Sequence, residues 1–222
     1  YQLNDTQIFE TQQRQAKFYE AFTHKQRMTE EMDALHHTMS QLYAPYFPKL
    51  QQFCKSPTDY AFLTQQLLLY GQEDSKKRST YKNSDSKATG FVDLISTVDL
   101  PSLLVKRFPP TLVNAILNEF NTNAKIIDYK TFPNEKQIYY ILLHAANEIL
   151  QLQKLQDEYL TPFFIYEVQQ FAPNLCGLLE PRFAAELIQY ADGIDKLASM
   201  ASSSVLSLGQ KDAHSTHNND HK

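Results

Sequence analysis

Hydrophobic residues follow a helical pattern along the first long stretch of the chain, 4–46, and the last five of them recur at alternating intervals of four and three residues. The apolar positions of this stripe are Phe18, Met28, Met32, Leu35, Met39 and Leu42. Polar and charged residues occupy most positions between them, as is typical of a helix with a coiled-coil seam. At 1.5 Å per residue, such a helix would form an arm of about 60 Å. We expect Pro45 and Pro48 to end it, since proline cannot continue a helix.

A second stripe of hydrophobic residues follows Pro133 and Asn134, which favour a helix start. Its members are Ile138, Leu142, Ala145, Ile149, Leu152, Leu155 and Tyr159. We expect this return helix, 134–160, to pack antiparallel against the first as a hairpin. Pro162 should kink the return helix, because it removes one backbone donor and clashes with the preceding turn.

Shorter elements are predicted between the two arms. A helix should run from 56 to 70 and stop at Gly71, which is followed by a charged, Ser/Lys-rich loop over 72–90. Amphipathic helices over 91–104 and 111–120 would close a small tip domain.

The last third of the chain, 171–209, predicts two short helices joined by a turn at Asp192 and Gly193. Their apolar stripes are Phe183, Leu187 and Tyr190 in the first helix, and Ile194, Leu197 and Met200 in the second. A small-residue hinge and a buried run ending at Gly209 would follow. The hinge contains a group of small hydroxyl residues that we call the serine rim: Ser199, Ser202, Ser203 and Ser204. Small side chains let another backbone approach, and short hydroxyls satisfy a partner's polar groups at low entropic cost.

Composition narrows the class of protein. The chain has 222 residues, 42% of them hydrophobic, and only five glycines, which suits one or two all-α domains. Its net charge is −4, so it lacks the global basic field of nonspecific nucleic-acid binders, and any RNA contact must be local or shared with a basic partner. No apolar run approaches the ~20 residues that span a bilayer. Cys54 and Cys176 show no metal or disulfide pattern and are expected to be buried thiols in a reducing compartment.

The sequence pattern gives little support for a catalytic site or a metal site. No nucleophile, base and orienting group line up, and the acids Glu148, Asp157 and Glu158 are expected on a solvated helix face, so no enzyme is predicted. Three histidines at spacings of three and four could ligate a metal: His214, His217 and His221. They lie in a polar tract without helical periodicity, which favours a flexible loop, and no metal or cofactor is predicted.

Two groups of residues resemble the landmarks of one family. The upstream group is Tyr43, Phe47, Pro48, Leu50, Asp59 and Tyr60. The C-terminal group is Ala172, Pro173, Asn174, Leu175, Ala184, Ala185, Leu187, Ile188, Ala191, Gly193, Leu197, Met200, Val205, Leu208 and Gly209. With these landmarks in this order, the chain resembles the Nop domain family, whose RNA–protein recognition module is shared by a U4/U6 splicing factor and the core proteins of box C/D snoRNPs. The resemblance covers nearly the whole chain and is loose over 71–133.

The chain departs from the family pattern at several positions. Glu180 stands where the family usually has glycine. Asp192 replaces the first glycine of the family's Ala-Gly-Gly turn, and Ser199 replaces the lysine of its Lys-Met-Pro sequence. The missing lysine removes one expected partner contact. After Gly209 the chain does not continue as the snoRNP proteins do, which favours the splicing member.

The pattern and the resemblance together imply an all-α fold: a long antiparallel helical (coiled-coil) hairpin with a small helical tip domain and a partial Nop domain. The expected divisions are 1–47 for the first arm helix, 48–133 for the tip domain, 134–168 for the return helix and 169–222 for the N-terminal part of the Nop domain. The chain is expected to be part of a longer protein.

The resemblance implies a nuclear pre-mRNA splicing factor, a scaffold of the U4/U6 and tri-snRNP. It would recognise a composite surface made of the kink-turn stem-loop of U4 snRNA and a small kink-turn-binding protein, and its arm would reach other tri-snRNP proteins. Alternatives that stay open are a box C/D snoRNP scaffold for RNA 2′-O-methylation and a protein-only coiled-coil adaptor.

The resemblance also suggests which residues make these contacts. The protein partner is expected on Gly193, Ser199, Ser202, Ser203 and Val205. RNA is expected on Gln210, Lys211, His217, His221 and Lys222. A histidine there would stack on a base, a contact worth ~1–3 kcal/mol, while the lysines would contact phosphate. No membrane partner is expected.

Overall fold

The computed structural model describes residues 5–54, 56–81, 100–125, 127 and 133–208, and it describes their side chains except at 5–7, 72–81 and 133. The described part of the chain is helical and contains no strand, which confirms the all-α prediction. The helices are α1 Asp5–Tyr43, α2 Leu50–Phe53, α3 Pro57–Tyr81, α4 Leu100–Val105, α5 Pro110–Asn123, α6 Pro133–Leu155, α7 Thr161–Phe171, α8 Pro173–Leu178, α9 Pro181–Tyr190, α10 Ile194–Ser199 and α11 Ser202–Leu206. A π-helical turn, Gln156–Leu160, joins α6 to α7.

The chain divides into two compact units. The first unit is Tyr1–Arg27 with Leu155–Lys222, and the second unit is Met28–Lys154. The helix α1 therefore begins in the first unit and ends in the second. The predicted hairpin and its four-segment division stay predictions.

The second unit has a core of large side chains drawn from α1 and from α2 to α6. Its fully buried members include Met39, Leu63, Leu104, Ile116 and Leu142. Four upstream landmarks of the sequence belong to this core: Tyr43, Phe47, Leu50 and Tyr60. These landmarks are thus explained by packing, since burying large apolar side chains is the main favourable term in folding.

Asp59, another upstream landmark, is also structural. Its backbone amide donates to the Ser56 side-chain hydroxyl (3.1 Å), which caps the start of α3. Its carboxylate accepts a 2.7 Å hydrogen bond from Arg107 Nε, and the same guanidinium lies 5.0 Å from the centre of the Phe62 ring. Asp59 therefore fixes the segment after α4 against α3.

The prediction that a helix stops at Gly71 is wrong, as is the predicted loop over 72–81, because α3 continues to Tyr81. An internal glycine costs a helix only about 1 kcal/mol, which favourable neighbours can offset. Gly71 is buried and lines a small cavity with Tyr43, Leu67 and Phe120, so it lies against the core of its unit inside α3. The remainder of that loop, 82–90, and the first part of the predicted 91–104 helix lie outside the described residues.

A π-helical turn precedes Pro162, where a kink was predicted; the kink itself stays a prediction. The Thr161 amide donates to the Gln156 carbonyl five residues earlier, and Pro162 lies in the first turn of α7. Proline has no N–H for the usual α-helical bond, so the wider turn accommodates it. The turn also inserts extra backbone and rotates the stripe from Gln156 onward, and Tyr159, predicted to lie on the apolar face, is 65% exposed. Leu155, the last residue before the turn, was predicted on the same face and is 47% exposed.

Among the residues that the structure describes, the first unit has a smaller core in which three of the seven buried residues are alanines. Ala172, Ala184, Ala185 and Ile188 are buried in it together with aromatic side chains from α1 and α7. The predicted first short helix is present as α9, but of the three apolar residues of its predicted stripe only Leu187 is half-buried. Phe183 and Tyr190 face outward, and the alanine face packs instead against α7. Alanine lets two helix backbones approach closely, so packing decides against the larger hydrophobic side chains.

The predicted buried run before Gly209 is also wrong. The helix α11 contains no buried residue, and Leu206 is 77% exposed. The segment around the serine rim is consequently a surface feature.

Candidate docking surface

The turn between α9 and α10 is a Schellman motif. The Gly193 amide donates to the Ile188 carbonyl (3.0 Å), and the Asp192 amide donates to the Gln189 carbonyl (3.1 Å). Both turn residues have positive φ, 56° for Asp192 and 134° for Gly193. Aspartate tolerates the left-handed region better than most residues, whereas the φ of 134° suits glycine. Local sequence thus specifies the turn that ends α9.

The start of α10 is held by a side chain from α1. The Ile194 amide donates a 3.0 Å hydrogen bond to Tyr19 Oη. A Cβ placed on Gly193 would lie only 3.3 Å from the same hydroxyl. Because α10 has no side-chain cap of its own, the tyrosine hydroxyl satisfies one of the amides that a helix start leaves unpaired.

The serine rim lies at the end of α10 and the beginning of α11, and all four of its serines are exposed. Ser199 Oγ donates to the Lys196 carbonyl (2.9 Å), one turn earlier in the same helix. Of the five residues predicted to contact a protein partner, Ser199, Ser202 and Ser203 are exposed, Val205 is half-buried and Gly193 is buried. The structure therefore places the serines at the surface and Gly193 in the buried part of the turn that precedes α10.

Charge on this surface is low and mostly paired. Between 178 and 206 the chain has four acidic and two basic residues, a balance of −2. Lys196 pairs with Asp192, and Arg182 Nε lies 3.3 Å from a carboxylate oxygen of Glu186. Such a surface does not attract phosphate. Small polar and apolar groups with few unpaired charges suit contact with a protein better.

Exposed hydrophobic side chains accompany the rim in the same stretch of chain. The most exposed are Leu178 at 83%, Leu206 at 77%, Phe183 at 55% and Tyr190 at 53%. Exposed apolar area of this kind in α8, α9 and α11 is consistent with a protein-contact function.

The residues predicted to contact RNA lie outside the described part of the chain. These are Gln210, Lys211, His217, His221 and Lys222. Their contribution to a composite surface stays a prediction.

The remaining candidate chemistry is structural. Cys54 is buried, and burial raises the pKa of its thiol to about 12, so it is not a reactive thiolate. Cys176 is only partly buried, against expectation, and burial also raises the pKa of its thiol. Asp157 and Glu158 are exposed in the π-helical turn, and Glu148 is partly exposed.

The described residues contain neither a metal-binding cluster nor a membrane-spanning helix. No group of three or more His, Cys, Asp or Glu side chains there could hold a metal ion. None of the described helices combines the length and apolar character that a membrane span needs.

Sequence reasoning missed Tyr19. The only local signal was the aromatic group Phe18, Tyr19 and Phe22, whose spacing places Phe18 and Phe22 on one helical face and leaves Tyr19 beside it. A hydroxyl that pairs with an amide 175 residues later leaves no mark in the local pattern.

Comparisons with known proteins agree with these landmarks. A family model for Nop, described as "snoRNA binding domain, fibrillarin", matches residues 25–222. A curated relative, Pre-mRNA-processing factor 31 of Saccharomyces cerevisiae, is 27% identical over 184 residues, which cover 82% of this chain and 32% of the relative. The chain therefore spans about a third of the length of that relative.

Proposed function

Because this chain belongs to the Nop domain family, we propose that it is an RNA-binding pre-mRNA splicing factor, a scaffold of the U4/U6 and tri-snRNP in the nucleus. The observation that carries the proposal is the exposed serine rim, held at the end of a braced turn in a chain similar to a pre-mRNA-processing factor. The proposed activity is assembly rather than catalysis.

The proposed target is a composite surface. The serine rim would dock on a small kink-turn-binding protein that is already seated on the kink-turn stem-loop of U4 snRNA. Residues 210–222, among them His217 and His221, would contact the RNA beside it. The low charge of the rim supports this division, because the partner and a few local residues would supply the attraction to phosphate. Neither surface would suffice alone, so binding should be ordered.

The other member of the family remains a specific alternative. The description of the matched family model favours a box C/D snoRNP scaffold that supports RNA 2′-O-methylation. The similarity to the yeast pre-mRNA-processing factor and the sequence after Gly209 favour the splicing particle. A protein-only adaptor would bind neither RNA complex.

Binding measurements with purified components test the proposal. The protein is mixed at low and moderate salt with a U4 kink-turn RNA, with the small kink-turn-binding protein, and with their preformed complex. We expect binding to the preformed complex alone. Failure to bind it at low salt would contradict the proposal and favour the adaptor. Tighter binding when a box C/D kink-turn RNA replaces the U4 RNA would favour the snoRNP alternative.

A pair of variants locates the contact. Ser203→Arg places a long charged side chain on the rim and should weaken binding to the preformed complex by about tenfold or more, since clashes and unpaired charges at an interface are costly. Thr111→Arg introduces the same side chain at an exposed position of α5 and should bind within about twofold of the wild type. Equal binding by the wild type and Ser203→Arg would mean that the rim is not the docking surface.

A further inference from the structure

We propose that Tyr19 is a positioning residue for the serine rim, and that the N-terminal half of α1 belongs to the docking module although it precedes the family match, which begins at residue 25. This inference rests on the proposed function of the rim. It names a residue that acts through α10 and that does not itself have to touch the partner.

The hydrogen bond between Tyr19 and Ile194 determines where α10 begins. A helix start leaves its first amides without internal partners, and a Ser, Thr, Asp or Asn side chain usually accepts from one of them. The residue before Ile194 is Gly193, which has no side chain, and no side-chain cap is formed. Tyr19 Oη accepts from the Ile194 amide instead, at 3.0 Å.

The short length of α10 makes this contact consequential. The helix Ile194–Ser199 has six residues, far fewer than an isolated helix needs for stability in water. Its direction must therefore come from its ends and its packing. The rim begins at the last residue of α10, Ser199, so a shift in the start of α10 also shifts the rim.

The Tyr19 hydroxyl also restricts which residue can occupy position 193. A Cβ there would lie 3.3 Å from Tyr19 Oη, tighter than an ordinary contact. The glycine also has a φ of 134°, which other residues rarely adopt. The Tyr19 hydroxyl therefore fits over the backbone at position 193 because glycine has no side chain.

Tyr19 can act as a brace because α1 is itself fixed beside it. Phe18 is fully buried, with its ring centroid 5.1 Å from that of Phe164 and 5.3 Å from that of Phe171. One turn earlier, Arg14 Nη1 lies 3.3 Å from the buried carboxylate of Glu167. These anchors hold the tyrosine hydroxyl in place relative to α7 and the turn.

Further along α1, Lys25 makes two longer hydrogen bonds to the rest of the first unit. Lys25 Nζ donates to Gln189 Oε1 near the end of α9 (3.5 Å). The Lys25 carbonyl accepts from Gln156 Nε2, also at 3.5 Å. The first unit therefore uses α1 as part of its own framework, both before and at the beginning of the family match.

The test compares Tyr19→Phe with two controls in the same unit. Tyr159→Phe removes a hydroxyl from a tyrosine that is 65% exposed. Val168→Ala removes methyl groups from the same core and keeps the Tyr19 hydroxyl. Each protein is measured for binding to the preformed complex of U4 kink-turn RNA and small kink-turn-binding protein, and for hydrogen exchange of the Ile194 amide by NMR.

We expect Tyr19→Phe to weaken binding by on the order of tenfold and to accelerate exchange at Ile194. Tyr159→Phe should match the wild type in both measurements. Val168→Ala should lower the melting temperature without selectively accelerating exchange at Ile194. Selective exchange at Ile194 is the readout that general destabilisation would not produce.

Two results would overturn the inference. One is an unchanged exchange rate at Ile194 in Tyr19→Phe. The other is binding by Tyr19→Phe within about twofold of Val168→Ala when the two are equally stable. If the wild type fails to bind the preformed complex, the proposed function fails, whereas exchange at Ile194 still decides whether Tyr19 fixes the start of α10.

Discussion

The two units of the molecule bury different kinds of side chain. The second unit buries large aliphatic and aromatic residues such as Met39, Leu63 and Leu142. The first unit buries several alanines, with Phe18 and Phe164 as its main aromatic members. Large side chains contribute more buried apolar area per residue, while alanines let helix backbones approach. The core of the second unit accordingly has more large apolar side chains, whereas alanines form a larger share of the core of the first unit.

Despite this difference, many family landmarks are buried in both units. Tyr43 and Tyr60 are buried in the core of the second unit, and Ala184 and Ile188 in that of the first. Most landmarks therefore maintain the shape of a unit. The serines proposed to contact a partner lie between landmarks, whereas Gly193 and Val205 are themselves landmarks that are also expected to contact the partner.

The largest predicted effect tests the large-residue core. Leu142→Ala should lower the free energy of unfolding by ~2–5 kcal/mol, because Leu142 is fully buried and the truncation leaves a cavity. Urea unfolding combined with hydrogen exchange by mass spectrometry measures the loss and assigns it to peptides within Met28–Lys154. The control is Ile141→Ala, at a neighbouring position that is 48% exposed, which should cost about 0.5 kcal/mol or less. Similar losses in the two variants would contradict the assigned core.

A smaller effect tests the alanine core. Ala184→Leu should cost ~1–3 kcal/mol, because Ala184 is fully buried in the first unit and the added carbons have no space there. Hydrogen exchange should show the loss in peptides of α7 and α9. Ala198→Leu adds the same atoms at an exposed position of α10 and should change stability by no more than about 0.5 kcal/mol. If Ala184→Leu is as stable as Ala198→Leu, close packing does not define this unit.

The smallest effect concerns a titratable group at the edge of the second core. His36 lies against Tyr60, with their ring centroids 4.9 Å apart. Burial lowers the pKa of His36 below its ordinary value of 6.5; Asp33 opposes this shift and His37 adds to it. The folded state thus binds a proton less readily than the unfolded state. The contribution of His36 to stability is complete above pH 6.5 and is lost as the pH falls from 6.5 through the folded pKa.

Urea midpoints measured on both sides of this range test the sign. We expect His36→Gln to lose less stability than the wild type as the pH is lowered from about 7.5 to about 5. His24→Gln, at an exposed position of the first unit, should keep the pH dependence of the wild type. A wild type and His36→Gln with parallel pH profiles would exclude His36 as a source of acid sensitivity.

Which parts of the chain are helical was largely predictable from the sequence. The first arm was expected over 4–46 and is found as Asp5–Tyr43, because its periodicity and the prolines that follow it are local signals. Gly71 was misinterpreted as a stop, since a glycine inside a helix and a glycine after one look alike in sequence. Only the surrounding packing shows that this glycine lies inside α3.

The candidate site was predictable in part. The group of small hydroxyl residues indicated the serine rim, the resemblance suggested its partner, and the dipeptide Asp192-Gly193 indicated the turn that precedes it. The outward direction of Phe183 and Tyr190 was not predictable, because a hydrophobic stripe at helical spacing normally faces a core. Here the alanine face of α9 packs against α7 and leaves the larger residues exposed.

The sequence alone determined the all-α class, the extent of α1 and the turn between α9 and α10, because these follow from interactions among residues that are close along the chain. Tertiary structure decided which face of α9 is buried, that α3 continues past Gly71, and that Tyr19 holds the first amide of α10. Those outcomes depend on contacts between residues far apart in sequence, which depend on the space and the hydrogen-bonding groups that the folded chain brings together.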